Sequence, residues 1–205
     1  TGEREFYGRP FQVNSAVLIP RPDTEILLEA ALARWSVGCQ GTVLDAGTGS
    51  GALAISFQLE RPQTSVVAVD RSRAALAVAQ ANSLRLGAPV RFWCGDWLQA
   101  LKTGSVDLIL SNPPYLDAAD PHLPGLVASG EPESALRATE FGLGDLLTLI
   151  HAAREVLSPG GWLLMEHGWT QAQAVREALL AQGYVDVISE RDLAGHERVS
   201  GGRAR

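Results

Sequence analysis

Short, nearly continuous apolar runs recur along this chain, and each is followed by a polar or glycine-rich break and then by residues with helical periodicity. Val66 to Val69, Val106 to Leu110 and Trp162 to Met165 show little of the in-out alternation of a half-exposed strand. Strands of that kind are buried on both faces. The spacing predicts strands over 42–45, 66–69, 90–93, 106–110, 162–166 and 184–189, with a seventh at 197–200. Helices are predicted over 52–60, 73–86, 142–157 and 170–182, closed by Gly87, by Ser158-Pro159-Gly160-Gly161 and by Gly183. Strands alternating with helices build βαβ units. The expected fold is α/β, with a mostly parallel seven-stranded sheet and helices on both faces. Ligands of such sheets lie beyond the carboxyl ends of the strands, so chemistry is expected in the residues that follow them.

The first 20 residues are punctuated differently. Phe6, Tyr7, Phe11, Val13 and Val17 flank a Gly8-Arg9-Pro10 break, which predicts a hairpin. Pro20 and Pro22 stop extended structure. Asp23 and Thr24 are then placed to N-cap a helix carrying Ile26, Leu27, Ala30, Ala31 and Trp35 on one face. The organisation expected is a hairpin and linker over 1–22 and one larger domain over 23–205, which a length of 205 residues accommodates.

Several classes of function are disfavoured. The formal net charge is −6, and the basic residues are mostly isolated apart from a short run between Arg198 and Arg205. A dedicated nucleic-acid binder usually carries a basic patch. No apolar run is long enough for a membrane span and no signal peptide is evident. Cys39 and Cys94 lack metal-ligand spacing, and the four histidines form no HxxxH or HExxH pattern. No bound metal is expected, and reduced thiols fit a cytoplasmic protein.

The break after the first parallel strand reads Asp45-Ala46-Gly47-Thr48-Gly49-Ser50-Gly51. Glycine permits positive φ and close approach of backbone N–H groups to a ligand. The loop opens a helix, whose N-terminus favours negative charge. Asp70 ends the next strand and is placed to hold both ribose hydroxyls of a nucleoside. Three readings fit this loop: a nucleoside-cofactor site, a dinucleotide site built on Gly47, Gly49 and Ala52, and a turn that only packs helix on strand. After the third strand, Asp96 could accept from an adenine amino group and Trp97 could stack on its ring. A helix cap at Asp96 with Trp97 in the core is the structural alternative.

The most specific segment follows the fourth strand: Ser111-Asn112-Pro113-Pro114-Tyr115. Consecutive prolines fix the backbone and continue neither strand nor helix. Their carbonyls point outward, Asn112 adds a side-chain acceptor, and Tyr115 adds an aromatic face. A planar amide or amino nitrogen carries two N–H bonds and a delocalised lone pair. Acceptance of one N–H by Asn112 Oδ1 and the other by the Pro113 carbonyl would orient that nitrogen and raise its electron density. Tyr115 would pack on the planar group. No strong base is needed, since the nitrogen sheds its proton readily after alkylation. A rigid loop without chemistry remains the alternative.

The Asp45–Gly51 loop resembles the first motif of class I (Rossmann-like) methyltransferases, in which residues like Asp96 and Trp97 flank the adenine. Together with Glu5-Phe6-Tyr7-Gly8, Leu18 to Glu25, Asn112 to Tyr115, Glu131-Pro132, Ala135-Leu136, Glu166, Gly168, Gln171, Asp192 and Arg198-Val199, the chain resembles the release-factor glutamine methyltransferases over nearly its whole length. The resemblance implies S-adenosylmethionine as methyl donor and S-adenosylhomocysteine as product. It implies class I peptide release factors as protein partners, with N5 of the glutamine in their Gly-Gly-Gln motif as acceptor. Gly47, Thr48, Gly49, Ser50, Gly51, Asp70, Asp96, Trp97 and Asn112 would contact the cofactor. Asn112 to Tyr115 would hold the glutamine, and Arg21 would shape the wall of the site. Family members usually carry a small helical docking domain before the hairpin, which this sequence does not include. The sequence also departs from the family at Gly130 and Phe141. Asn-Pro-Pro-Tyr occurs in adenine-N6 methyltransferases as well, so a DNA- or RNA-directed enzyme is the competing function. A cofactor-binding scaffold is the non-enzymatic one.

Overall fold

A computed structural model describes residues 2–99 and 101–205. The chain opens with β1 (Glu3–Phe6) and β2 (Arg9–Gln12), an antiparallel hairpin. Its turn is Tyr7-Gly8, with φ of 50° and 71°, the doubly left-handed geometry that suits two-residue hairpins. The break therefore falls earlier than the predicted Gly8-Arg9-Pro10. Pro10 lies inside β2, where a two-stranded sheet tolerates a missing donor. Phe6 and Phe11 meet edge to face at 6.1 Å and are buried with Leu27, Leu28 and Phe57. Asn82 ties the hairpin down: its Oδ1 accepts from Gln12 N (2.8 Å), and its Nδ2 donates to the carbonyls of Gln12 (3.0 Å) and Ser50 (2.9 Å).

Helix α1 (Asp23–Arg34) begins without the predicted cap. Pro22 occupies the cap position in helical conformation and no side chain bonds the free N–H groups. Asp23 and Thr24 already belong to the first turn. Asp23 places negative charge against the positive end of the helix dipole, and the buried Thr24 is used elsewhere.

The remaining elements are β3 (Thr42–Ala46), α2 (Ala52–Glu60), β4 (Ser65–Asp70), α3 (Arg73–Leu86), β5 (Arg91–Cys94), β6 (Val106–Ser111), α4 (Leu123–Ala128), α5 (Gly144–Val156), β7 (Leu157–Glu166), α6 (Ala172–Ala181), β8 (Val185–Arg191) and β9 (Glu197–Arg203). Strands β3 to β9 form one seven-stranded sheet in the order β5-β4-β3-β6-β7-β9-β8. All its pairings are parallel except the two made by β9. The predicted architecture is present. Alternate residues of β6 serve opposite faces: Leu108 and Leu110 join the core beneath α1 and α2, while Ile109 joins the core with Leu149 and Leu163.

Two local differences matter. Ser158-Pro159-Gly160-Gly161 does not separate α5 from the next strand but lies within β7, which starts at Leu157. The register against β6 jumps there, from Val106↔Leu157 to Leu108↔Trp162. The stretch 116–141 also holds α4 and two short 3-10 turns, Glu133–Ala135 and Glu140–Gly142, none of which has the periodicity of a longer element. The chain runs from β3 outward to β5, then returns across the sheet to β6. Strand order thus reverses between β3 and β6, the position where ligands of such sheets bind.

Candidate active site

The loop after β3 lies at that reversal. Gly47, Gly49 and Gly51 have φ of 78°, 54° and 82°. A Cβ on Gly51 would lie 2.8 Å from Ile55 Cδ1 and 3.1 Å from Ala79 Cβ, so packing and conformation both demand glycine there. The N–H groups of Gly47 and Thr48 donate to the Val69 carbonyl at 2.9 and 3.0 Å, fastening the loop to β4. Beneath it, Asp45 Oδ2 accepts from Thr48 Oγ1 (2.7 Å) and Ala54 N (3.2 Å), while Oδ1 is buried without a partner.

Burial pushes the Asp45 carboxyl up to about 6, against the pull of its bonds from Thr48 and Ala54. A carboxyl whose folded pKa is raised binds its proton more tightly in the folded state. Stability from Asp45 is therefore complete below about 4 and is lost as pH rises towards 6. At neutral pH the buried charge costs on the order of 3 kcal/mol. Asp45→Asn is expected to raise the melting temperature at pH 7.5 and to leave it nearly unchanged at pH 4. Thermal scans at the two pH values check this, and an equal shift at both would refute it.

Asp70 ends β4 beside the loop. Its Oδ2 accepts from Gly49 N (2.9 Å) and its Oδ1 from Ser72 N (2.8 Å). Each oxygen keeps a lone pair for a ligand hydroxyl, and the carboxylate is held by backbone. Asp96 is exposed on the same cleft, with Oδ2 accepting from Gln99 Nε2 at 2.8 Å. Trp97 takes φ of 45°, and its ring edge lies where a Gly47 Cβ would come within 3.0 Å. Asp145, in the first turn of α5, lies near the Trp97 indole, and burial raises that carboxyl. Thr48, Asp70, Asp96, Trp97, Asn112 and Pro114 share one cleft. A nucleoside fits this donor and acceptor set: a carboxylate for ribose and an indole for the base, beside a loop whose glycine N–H groups are spent on Val69, Asp70 and Thr48.

The opposite wall is a strap. Leu18, Pro20, Pro132, Ser134 and Ala135 line the cleft. Arg21 is turned into an ion pair with the buried Glu131, whose Oε2 also accepts from Ile19 N (3.1 Å). Arg71 Nη2 donates to the Ser134 carbonyl at 3.0 Å. Arg21 therefore sits behind the wall as a clasp between 18–21 and 131–135.

Asn112 to Tyr115 follow β6 next to the loop. Asn112 Nδ2 donates to Thr24 Oγ1 at 3.1 Å, which leaves Oδ1 as the acceptor on the other side of the amide. That oxygen is buried and has no partner in the protein. A buried acceptor without a donor is uncommon and costly, unless a ligand supplies the N–H. Tyr115 donates its phenol to Glu166 Oε1 at 3.0 Å, and its carbonyl accepts from Gln171 Nε2 at 3.0 Å. Burial and the adjoining Glu166 push the Tyr115 phenol up, so it stays protonated. Burial also raises Glu166, to about 7.

Of the predicted residues, Gly47 to Ser50, Asp70, Asp96, Trp97, Asn112 and Pro114 line one cleft, whereas Gly51, Pro113 and Tyr115 adjoin it in sequence without lining it and Arg21 faces Glu131. Sequence reasoning gives Glu131, Asp145, Glu166 and Gln171 no role and gives Thr24 only that of a helix cap. Glu166 had a usable signal, since it ends a buried strand as Asp70 does. The partners of Thr24 and Glu131 lie 88 and 110 residues away, and no local pattern announces them. Among the described residues, no group of three or more His, Cys, Asp or Glu is placed to hold a metal ion, and no helix is long and apolar enough to cross a membrane.

Residues 22–123 match the family model "Methyltransferase small domain". The release factor glutamine methyltransferase of Salmonella typhimurium is 50% identical over 99% of this chain and 73% of its own length. Among solved structures, a methyltransferase from Pyrococcus furiosus superposes with a TM-score of 0.70 at 19% identity, covering 96% of this chain and 89% of that one. A Thermus thermophilus 16S rRNA N2 G1207 methyltransferase, in complex with AdoMet and guanosine, has a TM-score of 0.69 at 18% identity, covering 99% of this chain and 50% of that one.

Proposed function

Since the chain belongs to the release factor glutamine methyltransferases, we propose that its cleft holds S-adenosylmethionine and that Asn112 to Tyr115 present the glutamine side chain of a class I release factor to it. The acceptor is N5 of the glutamine in the Gly-Gly-Gln motif, and the place of action is the cytoplasm. The observation that carries the assignment is the buried, unpartnered Oδ1 of Asn112, in an amide fixed by the bond from Nδ2 to Thr24.

S-adenosylmethionine supplies an electrophilic methyl group on a sulfonium, which the nitrogen lone pair attacks as the carbon–sulfur bond breaks. This chain's residues act on the acceptor. Asn112 Oδ1 accepts one amide N–H and the Pro113 carbonyl the other, which fixes the nitrogen and favours its pyramidal form. Tyr115 packs on the amide plane. The amide arrives neutral and loses one proton to solvent after transfer, so no buried base is required. Holding the two reactants in line can remove about 7–11 kcal/mol of barrier. Asp70 holds the ribose, Trp97 and Asp96 hold the adenine, and Gly47 to Gly51 approach the amino-acid part.

Mass spectrometry of a release-factor digest after incubation with enzyme and S-adenosylmethionine tests the reading. The added methyl is expected on the Gly-Gly-Gln glutamine and is expected to vanish when that glutamine is replaced. Undiminished transfer to the replaced factor, or steeply salt-dependent transfer to nucleic acid, would overturn it.

A further inference from the structure

Glu166 is a buried acid that the mechanism above does not use. It is 1% exposed at the end of β7, one strand away from Asn112, and its backbone pairs with Val199 of β9. Its Oε1 takes the Tyr115 phenol at 3.0 Å. The Thr24 hydroxyl lies beside the carboxyl and favours its charged form, although Oε2 itself has no bond of good geometry. Thr24 Oγ1 in turn receives Asn112 Nδ2 at 3.1 Å. With that lone pair used, the Thr24 proton is free to point at the carboxyl.

We propose that Glu166 is a positioning residue for methyl transfer: through Tyr115 on one side and through Thr24 and Asn112 on the other, one buried carboxylate sets the angle of the aromatic face and the outward orientation of the amide oxygen. The inference rests on the reading that Asn112 and Tyr115 hold the acceptor.

The geometry gives the ionised form the directing role. A carboxylate only accepts, so both hydroxyls must point towards it. Asn112 then donates to Thr24 and Tyr115 to Glu166, and the Thr24 proton is left to turn towards the carboxyl. A protonated carboxyl can instead donate to Thr24 and lets the chain reverse. A reversed chain permits the Asn112 amide to turn its NH₂ towards the acceptor, where it repels the substrate N–H.

The groups that face Glu166 set where this switch falls. Asp23 on α1 raises its pKa, and Arg198 on β9, Thr24 and Tyr115 lower it, with burial dominant and the value about 7. Arg198 is itself shared, its Nε lying 3.0 Å from Asp192 and 3.5 Å from Asp23. A group whose active form is the ionised one makes activity rise with pH through its pKa. The kcat of the native enzyme should therefore climb about tenfold per pH unit below 7 and level off above it.

Glu166→Gln keeps the shape, removes a desolvated charge, and places an NH₂ where the chain requires an acceptor. The variant should lose about 10- to 100-fold in kcat at pH 8 with KM for the release factor within about threefold, and its kcat should no longer rise between pH 6 and 8. Glu166→Asp should recover part of the pH dependence. Thr24→Val should lower kcat comparably, and Thr24→Ser should restore it, which serves if Glu166→Gln folds poorly. A second readout needs no release factor. The side-chain amide resonances of Asn112 in the protein saturated with S-adenosylmethionine should titrate near pH 7 in the native chain and stay fixed in Glu166→Gln. A variant with native kcat and pH profile, together with Asn112 resonances indifferent to pH, would overturn the proposal. Native protein that methylates no release factor while its Asn112 resonances still titrate would instead defeat the substrate reading and leave the positioning role standing.

Discussion

Asn112→Ala should lower kcat for methyl transfer by roughly 10²- to 10³-fold, the loss typical of removing one preorganised polar contact to a reacting group. The alanine deletes a buried side-chain acceptor that has no partner of its own, and the strand beneath it is untouched. Removing the unpartnered Oδ1 relieves a desolvation penalty while the bond from Nδ2 to Thr24 is lost, so the melting temperature should change little. The affinity for S-adenosylmethionine should change by less than about tenfold, because Asp70, Trp97 and the glycine loop make their contacts independently. Single-turnover transfer to a release factor, with calorimetry of cofactor binding beside it, separates the two effects. Asn112→Asp is the informative companion. It retains an acceptor but loses the N–H that Thr24 holds at 3.1 Å, and its carboxylate can rotate. Its kcat should fall between native and alanine. Alanine activity within threefold of native would mean that the acceptor nitrogen is held by something other than this residue.

Asp70→Ala should act on the other ligand. Two charge-assisted hydrogen bonds to ribose are removed, each worth about 1.5–3 kcal/mol, so S-adenosylmethionine should bind roughly 10²- to 10⁴-fold more weakly. The carboxylate also receives Gly49 N at 2.9 Å and Ser72 N at 2.8 Å. The alanine therefore loosens the glycine loop where it must approach the ligand, and the loss extends beyond the ribose. At saturating cofactor, kcat should return to within a fewfold of native, since Asn112 and Tyr115 are untouched. Asp70→Asn should lie between, because its amide oxygen can still take one of the two backbone N–H groups. Calorimetric titration with S-adenosylhomocysteine measures the change without turnover. An unaltered Kd would place the ribose elsewhere in the cleft.

Much of this arrangement is legible in the sequence, for a reason that also marks the limit. Strands buried on both faces read as apolar runs, and the residues that end them read as interruptions. Asp70, Asn112 and the Asp45–Gly51 loop interrupt in that way, so their placement follows from the topology. The orientation of Asn112 is another matter. It is set by Thr24, which sequence reasoning assigns to a helix cap because Asp23 and Thr24 follow two prolines. Pro22 takes the cap position itself, and Thr24 is free to turn inward. The clasp of Arg21 on Glu131 is likewise decided by which loops meet over the cleft. Such pairings depend on tertiary approach, not on local pattern. The boundary between α5 and β7 was obscured in a different way. Pro159 and two glycines read as a break, yet the strand passes through them with a register jump against β6.

The position of β9 has a consequence for how the molecule comes to exist. It is the last strand in the chain, yet it lies between β7 and β8, paired to both. Val199 in β9 is the partner of Glu166. During synthesis from the N-terminus, every other strand emerges first, and β7 must wait with an open edge until residues 197–203 leave the ribosome. The cofactor loop and Asn112 can form on the earlier part of the sheet, but the backbone that aims Glu166 cannot be complete. A nascent chain can thus acquire the means to bind its cofactor before it acquires the means to use it.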